Sequence, residues 1–223
     1  QVLTAVKTNL IDAIWPDRPA RPLEPVKALG VHYSGKSSKE KLNEVREEMS
    51  KAGAGALVVS ELDEIAWLLN LRGSDIHYNP VFFSYVIVTP TKVNFFINSV
   101  RLEDSALKGL KAGIENLTIH PYESILEGLV GVVDEVNEKI WLSKKVSAAL
   151  ASSVPDDRRI LKLTPISLMK SLKNSVEVQG IINCHVRDAA ALCNFFAWLE
   201  EAMLSGQKLT EISAADKLQK FRE

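Results

Sequence analysis

Between residues 30 and 162 the chain alternates short apolar runs with amphipathic runs, and this alternation restricts its fold more than any other feature. The runs typical of strands are ALVVS (56–60), FFSYVIVT, KVNFFIN, LTIHPY and KIWLS. Strands that alternate with helices predict an α/β domain with a mixed, mainly parallel sheet. The TPT tripeptide between the second and third runs predicts one hairpin in that sheet.

Capping residues mark the predicted helix ends in this region. Ser37 and Glu40 form a capping-box pair ahead of apolar residues at one-face spacing, and Gly53 stands where that helix should stop. Ser60 is expected to cap a second helix, SELDEIAWLL, whose first turn is acidic. Further helices are predicted over roughly 101–112, in SILEGLVGVVDEV and in VSAALASSV.

After residue 162 helices follow one another without a strand. Thr164 and Pro165 form a cap and first-position pair for a short helix, and a long helix is predicted from about Ser175 to Leu204, ended by Gly206. One face of the long helix carries an apolar stripe made of Val178, Ile181, Ile182, Ala189, Leu192, Phe196 and Leu199. Another helix is expected in TEISAADKLQKFRE, so this region predicts the edge of a second domain.

Three segments are therefore expected, with boundaries at 1–29, 30–162 and 163–223. In the first, the prolines Pro16, Pro19, Pro22 and Pro25 stand three apart. This spacing favours extended polyproline II and is typical of a strap between domains, with a ligand for a proline-reading domain as the alternative. The chain begins QVLTAV, without Met, and stops inside a helical pattern, which indicates a piece of a longer polypeptide.

Composition and charge favour a globular protein without a nucleic-acid or membrane partner. Hydrophobic residues make up 46% and charged residues 25%, and 27 basic and 28 acidic residues are well mixed. There is no basic stripe, no polybasic patch and no apolar run near the roughly 20 residues of a membrane span. Cys184 and Cys193 should lie on opposite faces of one helix and cannot pair, so a reducing compartment, the cytoplasm, is expected.

Motifs for metal binding or nucleophilic catalysis are not found in the sequence. The four histidines, His32, His77, His120 and His185, form no HExxH motif or pair at helical spacing. His185 and Asp188 are three apart on the long helix and could face one ion, but a surface histidine bonded to a nearby carboxylate is favoured. His120 is expected to be packed or capping, and both cysteines are expected to be inert and packed. GVHYSGKSS lacks the frame of a phosphate-binding loop.

The segment NLRGSDIHYNP (70–80) concentrates polar side chains between two apolar flanks. Arg72 and Asp75 straddle Gly73 and are expected to bond across a turn, with Gly73 supplying a positive φ. Asn79 and Pro80 are a strong turn signal. A hydrogen-bonded loop explains most of these residues, but an Arg, an Asp, a His and a Tyr within seven residues exceed what a turn requires. The loop is therefore expected at the tip of the domain, where another surface can use it.

The stretch DEIAWLLNLRGSDIHYNPVFFSY resembles the middle domain of the three-domain eukaryotic Xaa-Pro aminopeptidases of the cytosolic type, the aminopeptidase P family. The likeness extends to NLIDAIWPDRPARP before it and to SLKNSVEVQGIINCHVRDAAALCNFFAWLE and LTEISAADKLQKFR after it. The resemblance implies a metallo-exopeptidase that releases the N-terminal residue from peptides with proline in second place. It makes 1–29 the end of a first domain and its linker, 30–162 a creatinase-like middle domain, and 163–223 the first helices of a pita-bread catalytic domain.

The resemblance also implies two metal ions, usually manganese and sometimes zinc, held by two Asp, one His and two Glu. In the family these ligands begin in a DSGAQY-like stretch downstream of the equivalent of TEISAADK, and this sequence ends before it. None of the five ligands is therefore expected in this chain, and no catalytic or metal-binding residue is assigned to it. We expect this portion to be non-catalytic.

In two-domain relatives, the loop equivalent to 70–80 approaches the active-site mouth of a neighbouring subunit. The resemblance therefore makes Arg72, Asp75, His77, Tyr78 and Asn79 candidates for an active-site mouth or a homodimer contact. The alternative is a catalytically inactive pita-bread module that binds proteins, as in histone-chaperone subunits. The near-neutral net charge of −1 weighs against a histone or DNA partner.

Overall fold

The computed structural model describes residue 6 and residues 9–223. The strands are β1 (Lys27–Ala28), β2 (Ala54–Val59), β3 (Leu71–Arg72), β4 (Tyr85–Val88), β5 (Val93–Phe96), β6 (Leu117–His120), β7 (Lys139–Leu142) and β8 (Arg159–Leu161). The helices are α1 (Leu10–Ile14), α2 (Val31–Ser34), α3 (Ser38–Lys51), α4 (Leu62–Leu68), α5 (Asp104–Gly113), α6 (Ile125–Glu135), α7 (Ala148–Ser152), α8 (Pro165–Ser171), α9 (Ser175–Leu204) and α10 (Glu211–Arg222). Of the predicted segment 1–29, residues 1–5, 7 and 8 lie outside the described residues.

Six strands form one sheet in the order β6-β5-β4-β2-β7-β8. The pairs β5–β6, β2–β7 and β7–β8 are parallel, whereas β4 is antiparallel to both of its neighbours. Within this sheet β4 alone opposes the other strands, which confirms the mixed, mainly parallel sheet. The predicted hairpin joins β4 to β5, and the Thr89 hydroxyl accepts a hydrogen bond from the Lys92 N–H at 2.9 Å.

Helices cover both faces of this sheet. Every residue of β2 is buried, as expected for a central strand between two helical layers. Leu57 and Val59 join a core cluster that includes apolar residues of α3, α4, α5 and α8. Ala56 and Val58 point to the opposite face, where α6 and α7 supply the second cluster. The alternation along β2 thus divides the core into two layers.

Three of the helix ends predicted from capping residues are confirmed. Ser37 and Glu40 form both bonds of the capping box at α3. The Thr164 hydroxyl accepts from the Ser167 N–H at α8, with Pro165 in the first turn. The long helix runs over the predicted range, and Gly206 follows it at φ 75°.

Two predicted helix starts differ from the structure, and one strand of the six-stranded sheet was not predicted. Ser60 does not cap α4, because the chain stays extended through β2 and the helix begins only at Leu62, with Glu61 as its N-cap. The helix predicted from residue 101 begins at Asp104, because residues 99–101 form a 3₁₀ turn. Strand β8 was not predicted, since it is three residues long and only partly buried at the edge of the sheet.

The apolar stripe of α9 is largely uncovered. Val178, Ile181, Ile182 and Phe196 are exposed, while Ala191, Phe195 and Ala202 are the buried positions of this helix. Helix α10 packs along α9. In the part of the chain that the structure describes, none of the helices combines the length and hydropathy that a membrane span requires.

Candidate functional site

Residues 73–81 form a narrow loop closed at its base by backbone hydrogen bonds. The N–H of Gly73 donates to the carbonyl of Pro80 at 3.2 Å, and the N–H of Asp75 donates to the carbonyl of Val81 at 3.1 Å. Gly73 does not adopt a positive φ, so that prediction is wrong. Glycine is required there by a close approach instead, because a Cβ atom at this position would lie 2.7 Å from Cβ of Phe82.

The tip of the loop is tight and exposed. The N–H of Asn79 donates to the carbonyl of Ile76 at 3.0 Å, and Tyr78 adopts a φ of 62°, which is uncommon for a residue other than glycine. Tyr78 is 86% exposed, and His77 is also exposed. The predicted tip residues therefore face outward together.

The predicted bond between Asp75 and Arg72 is wrong, because Asp75 bonds to Arg101 instead. The Arg101 guanidinium donates to both carboxylate oxygens, with 2.8 Å between Nη1 and Oδ2. Oδ2 also accepts a hydrogen bond from the Phe83 N–H at 2.7 Å. Because this amide is bound to Asp75 and not to a neighbouring strand, the strand predicted from Phe82 begins only at Tyr85. Arg101 and Asp75 are 26 residues apart, and no spacing rule connects them.

Arg72 turns to the other side of the loop. Its Nη1 donates to the carbonyl of Ala66 at 2.9 Å and to that of Leu71 at 2.8 Å. Burial lowers the pKa of the Arg72 guanidinium, and the negative charge of Glu177 partly opposes this effect. Arg72 and Asn79 share the wall of a neighbouring cleft. Of the five predicted site residues, these two face that cleft.

The cleft has a volume of about 610 Å³ and lies between the loop, α2, α4 and the start of α9. Its walls are formed by Leu29, Tyr33, Asp63, Ala66, Trp67, Arg72, Asn79, Pro80, Val81, Lys170, Lys173, Glu177, Gly180, Ile181 and Cys184. No local sequence pattern indicates this cleft, because its walls come from elements far apart in the chain.

Behind the cleft, Lys41 is almost completely buried. Its Nζ donates to the carbonyl of Trp67 at 2.8 Å and to Oδ1 of Asn70 at 2.6 Å, and it lies 4.1 Å from the centroid of the Trp67 ring. Burial lowers the pKa of Lys41 to about 8. The buried ammonium thus fixes the indole that forms the floor of the cleft.

The start of α9 is anchored on this indole. Trp67 Nε1 donates to Oε1 of Glu177 at 3.2 Å, and Oε2 of Glu177 accepts from the Asn174 N–H at 3.0 Å. Asn174 caps α9 with Oδ1, while its Nδ2 donates to the carbonyl of Ser34 at 2.9 Å. The capping pair in NSVE is the sequence signal that identifies this anchor.

The remaining sequence candidates lie elsewhere. The Asp188 carboxylate accepts from Arg222 at 2.7 Å, and within the described residues no hydrogen bond joins it to His185. His120 is packed as predicted, stacked on Phe96 at 4.8 Å between ring centroids. Both cysteines are exposed rather than packed, because they lie on faces of α9 that the chain leaves uncovered.

Among residue 6 and residues 9–223, no group of three or more His, Cys, Asp or Glu side chains is placed to hold a metal ion. The donor set of this part of the chain does not fit the two ions that the resemblance implies. None of its residues is assigned to metal binding.

Comparison with known proteins gives a consistent result. Residues 17–177 match the creatinase/prolidase N-terminal domain. Over 221 residues the chain is 42% identical to the Xaa-Pro aminopeptidase ApepP of Drosophila melanogaster, covering 99% of this chain and 36% of that protein. It is 43% identical over 225 residues to the probable Xaa-Pro aminopeptidase P of Laccaria bicolor, covering 99% and 34%.

Among solved structures, the X-prolyl aminopeptidase of Caenorhabditis elegans, described as a cytosolic enzyme with a di-nuclear active site, superposes with a TM-score of 0.92. It is 32% identical and is matched over 98% of this chain and 36% of that one. The chain thus spans about a third of the length of these relatives. The match over residues 17–177, together with the fold, shows that the chain belongs to the creatinase/prolidase N-terminal domain family.

Proposed function

We propose that this chain is part of a metallo-aminopeptidase that removes the N-terminal residue from peptides with proline in second place. The observation that carries the proposal is the 42% identity, over 99% of the chain, to a protein named Xaa-Pro aminopeptidase. The alternative, a histone-chaperone type of binding module, is not favoured by the names of these relatives. The di-nuclear site of the Caenorhabditis elegans enzyme supports two metal ions in the whole protein, manganese or zinc, held by residues other than those described here.

We further propose that the chain is divided into the three predicted segments. Residues 30–162 form the creatinase-like middle domain, 1–29 lead into it, and 163–223 begin the catalytic domain. This portion is non-catalytic and supports dimerisation and access to the active site. The cytosolic enzyme of Caenorhabditis elegans supports a cytoplasmic location. Limited proteolysis that releases a stable fragment containing residues 30–162 together with α8, whose Ile166 packs in the core, is the expected result, and cleavage within the sheet would contradict it.

The loop is suited to a contact because its base is fixed and its tip is exposed. Asp75 is buried in its ion pair, whereas His77, Tyr78 and Asn79 project from the loop. Such a tip presents side chains to another surface without first having to be ordered.

The enzymatic proposal is tested on the intact protein with two peptides that differ only at the second residue. Release of the first residue from Ala-Pro-Phe and not from Ala-Ala-Phe is expected. Binding of histones without hydrolysis of Ala-Pro-Phe would favour the alternative.

The loop proposal is tested with the double variant His77→Ala, Asn79→Ala of the intact protein. A change in KM for Xaa-Pro peptides or in the dimer mass by light scattering is expected. The matched control is Lys111→Ala, an exposed residue of α5. Kinetics and mass that equal those of the control would show that the loop has no such role.

A further inference from the structure

The cleft contains more positive than negative charge. Its charged lining residues are Asp63, Arg72, Lys170, Lys173 and Glu177. Asp63 and Lys170 form an ion pair at 2.5 Å and offset each other. Glu177 is then the remaining carboxylate of the lining, opposite Arg72 and Lys173, with Lys41 buried behind Trp67.

Glu177 does not satisfy the hydrogen-bonding capacity of these cations. Its two oxygens accept from Trp67 Nε1 and from the Asn174 N–H. Within the described residues, Arg72 makes hydrogen bonds through Nη1 alone, to two backbone carbonyls, and Lys173 donates to a carbonyl at 3.2 Å. The Nε and Nη2 groups of Arg72 therefore remain for a ligand, and a planar guanidinium is best matched by a carboxylate.

Apart from the polar Asn79, the uncharged walls of the cleft are mainly apolar or aromatic. They include Leu29, Tyr33, Ala66, Trp67, Val81 and Ile181. A volume of about 610 Å³ is large enough for a ligand of several residues. The positive charge and the apolar walls of the cleft together favour a ligand in which a carboxylate is attached to an apolar group.

We propose that this cleft binds the C-terminal residue of a peptide, with its carboxylate on Arg72 and Lys173 and its side chain against Trp67 and Ile181. The choice of a peptide rests on the proposed function, because peptides are the substrates of that enzyme class. The preference for a carboxylate with an apolar body rests on the cleft alone.

The test is calorimetric titration of the intact protein with Gly-Gly-Leu-Phe, compared with the same peptide ending in an amide. Neither peptide has proline in second place, so cleavage does not complicate the measurement. The acid should bind at least about tenfold more tightly, because charge-assisted hydrogen bonds are lost in the amide. Lys173→Gln should weaken binding of the acid several-fold and leave the amide unchanged, and Arg72→Gln should weaken it more.

Lys173 is exposed, so its variant keeps the test valid if Arg72→Gln fails to fold. Lys111→Gln removes an exposed positive charge on α5 and should leave both affinities unchanged. Equal binding of acid and amide, or no binding of either because another part of the intact protein fills the cleft, would overturn the proposal. Octanoate binding without binding of the peptide acid would also overturn it.

Hydrolysis of Ala-Pro-Phe is measured in parallel to separate the two proposals. Hydrolysis with equal binding of acid and amide contradicts the cleft alone. Discrimination between acid and amide without hydrolysis supports the cleft and contradicts the enzymatic function.

Discussion

Asp75 and Arg101 form a bidentate ion pair in which the two side chains are 0% and 3% exposed. Nε of Arg101 also donates to the carbonyl of Glu24 at 3.0 Å, in the proline-rich segment. This pair therefore joins the loop, the 3₁₀ turn at Ser99–Arg101 and the segment that leads into the sheet. The exposed tip of the loop is carried on a base with little freedom to move.

Asp75→Asn should destabilise the protein by about 3–5 kcal/mol, because it leaves the Arg101 charge buried without its counter-charge. The free energy of unfolding in urea measures the effect. Asp156→Asn is the control, since its ion pair with Arg159 involves an Asp side chain that is 89% exposed. That variant should lose less than about 1 kcal/mol. Equal losses in the two variants would contradict the structural role of Asp75.

Gly73→Ala should destabilise the protein by about 1–3 kcal/mol, because its Cβ would lie 2.7 Å from Cβ of Phe82. Gly109→Ala is the matched control within α5, where a Cβ meets no atom within 4 Å. This control should gain about 0.5–1 kcal/mol of stability, because alanine favours the helix. Thermal unfolding measures the stability of both variants. A Gly73→Ala variant as stable as the unmodified protein would contradict the close approach between residues 73 and 82.

Glu64 links pH to stability at the contact between α4 and α8. Burial raises the pKa of Glu64 to about 7, the neighbouring carboxylates of Glu61 and Asp63 add to this effect, and the hydrogen bond from Thr164 opposes it. The folded protein thus binds a proton that the unfolded chain releases near its ordinary value of 4.5. The contribution of Glu64 to the free energy of unfolding is therefore complete below about pH 4.5 and is lost as the pH rises through about 7.

Glu64→Gln should therefore remove a pH-dependent decline on the order of 2–3 kcal/mol between pH 5 and pH 8. Urea unfolding at both pH values gives the slope for each protein. Glu47→Gln, on the exposed side of α3, should keep the slope of the unmodified protein. If Glu64→Gln keeps that slope as well, Glu64 does not titrate in this range.

Asn174→Ala should loosen the start of α9, since this residue caps two N–H groups and donates to the carbonyl of Ser34. Loss of a cap costs about 1–2 kcal/mol, so amide exchange at residues 176–178 should become faster by about tenfold. Thr210→Ala removes the cap of α10 and should leave these amides unchanged. Unchanged exchange at 176–178 in Asn174→Ala would contradict the anchor.

The sequence predicted the features that arise from short-range chemistry. The range of α9 was correct because its apolar stripe and its ends, up to Gly206, are local signals. The partner of Asp75 was missed, because Arg72 is near in sequence while Arg101 becomes a neighbour only after β4 and β5 have paired. The role of Gly73 was missed for a related reason, since its constraint comes from Phe82 across the loop.

The cleft depends on tertiary structure still more strongly. Trp67 and Glu177 are 110 residues apart. From its local sequence, Trp67 is explained as a core aromatic residue and Glu177 as a capping carboxylate. In the folded protein their hydrogen bond helps to hold the start of α9 against α4, beside the cleft. Predicted exposure of the loop tip, in contrast, followed from polarity and turn residues.

The assignment to an Xaa-Pro aminopeptidase is tested by the release of the first residue from Ala-Pro-Phe by the intact protein, before and after metal removal with a chelator. We expect release that is lost on chelation and restored by manganese or zinc. A folded intact protein that releases no residue with either metal would contradict the assignment to an Xaa-Pro aminopeptidase.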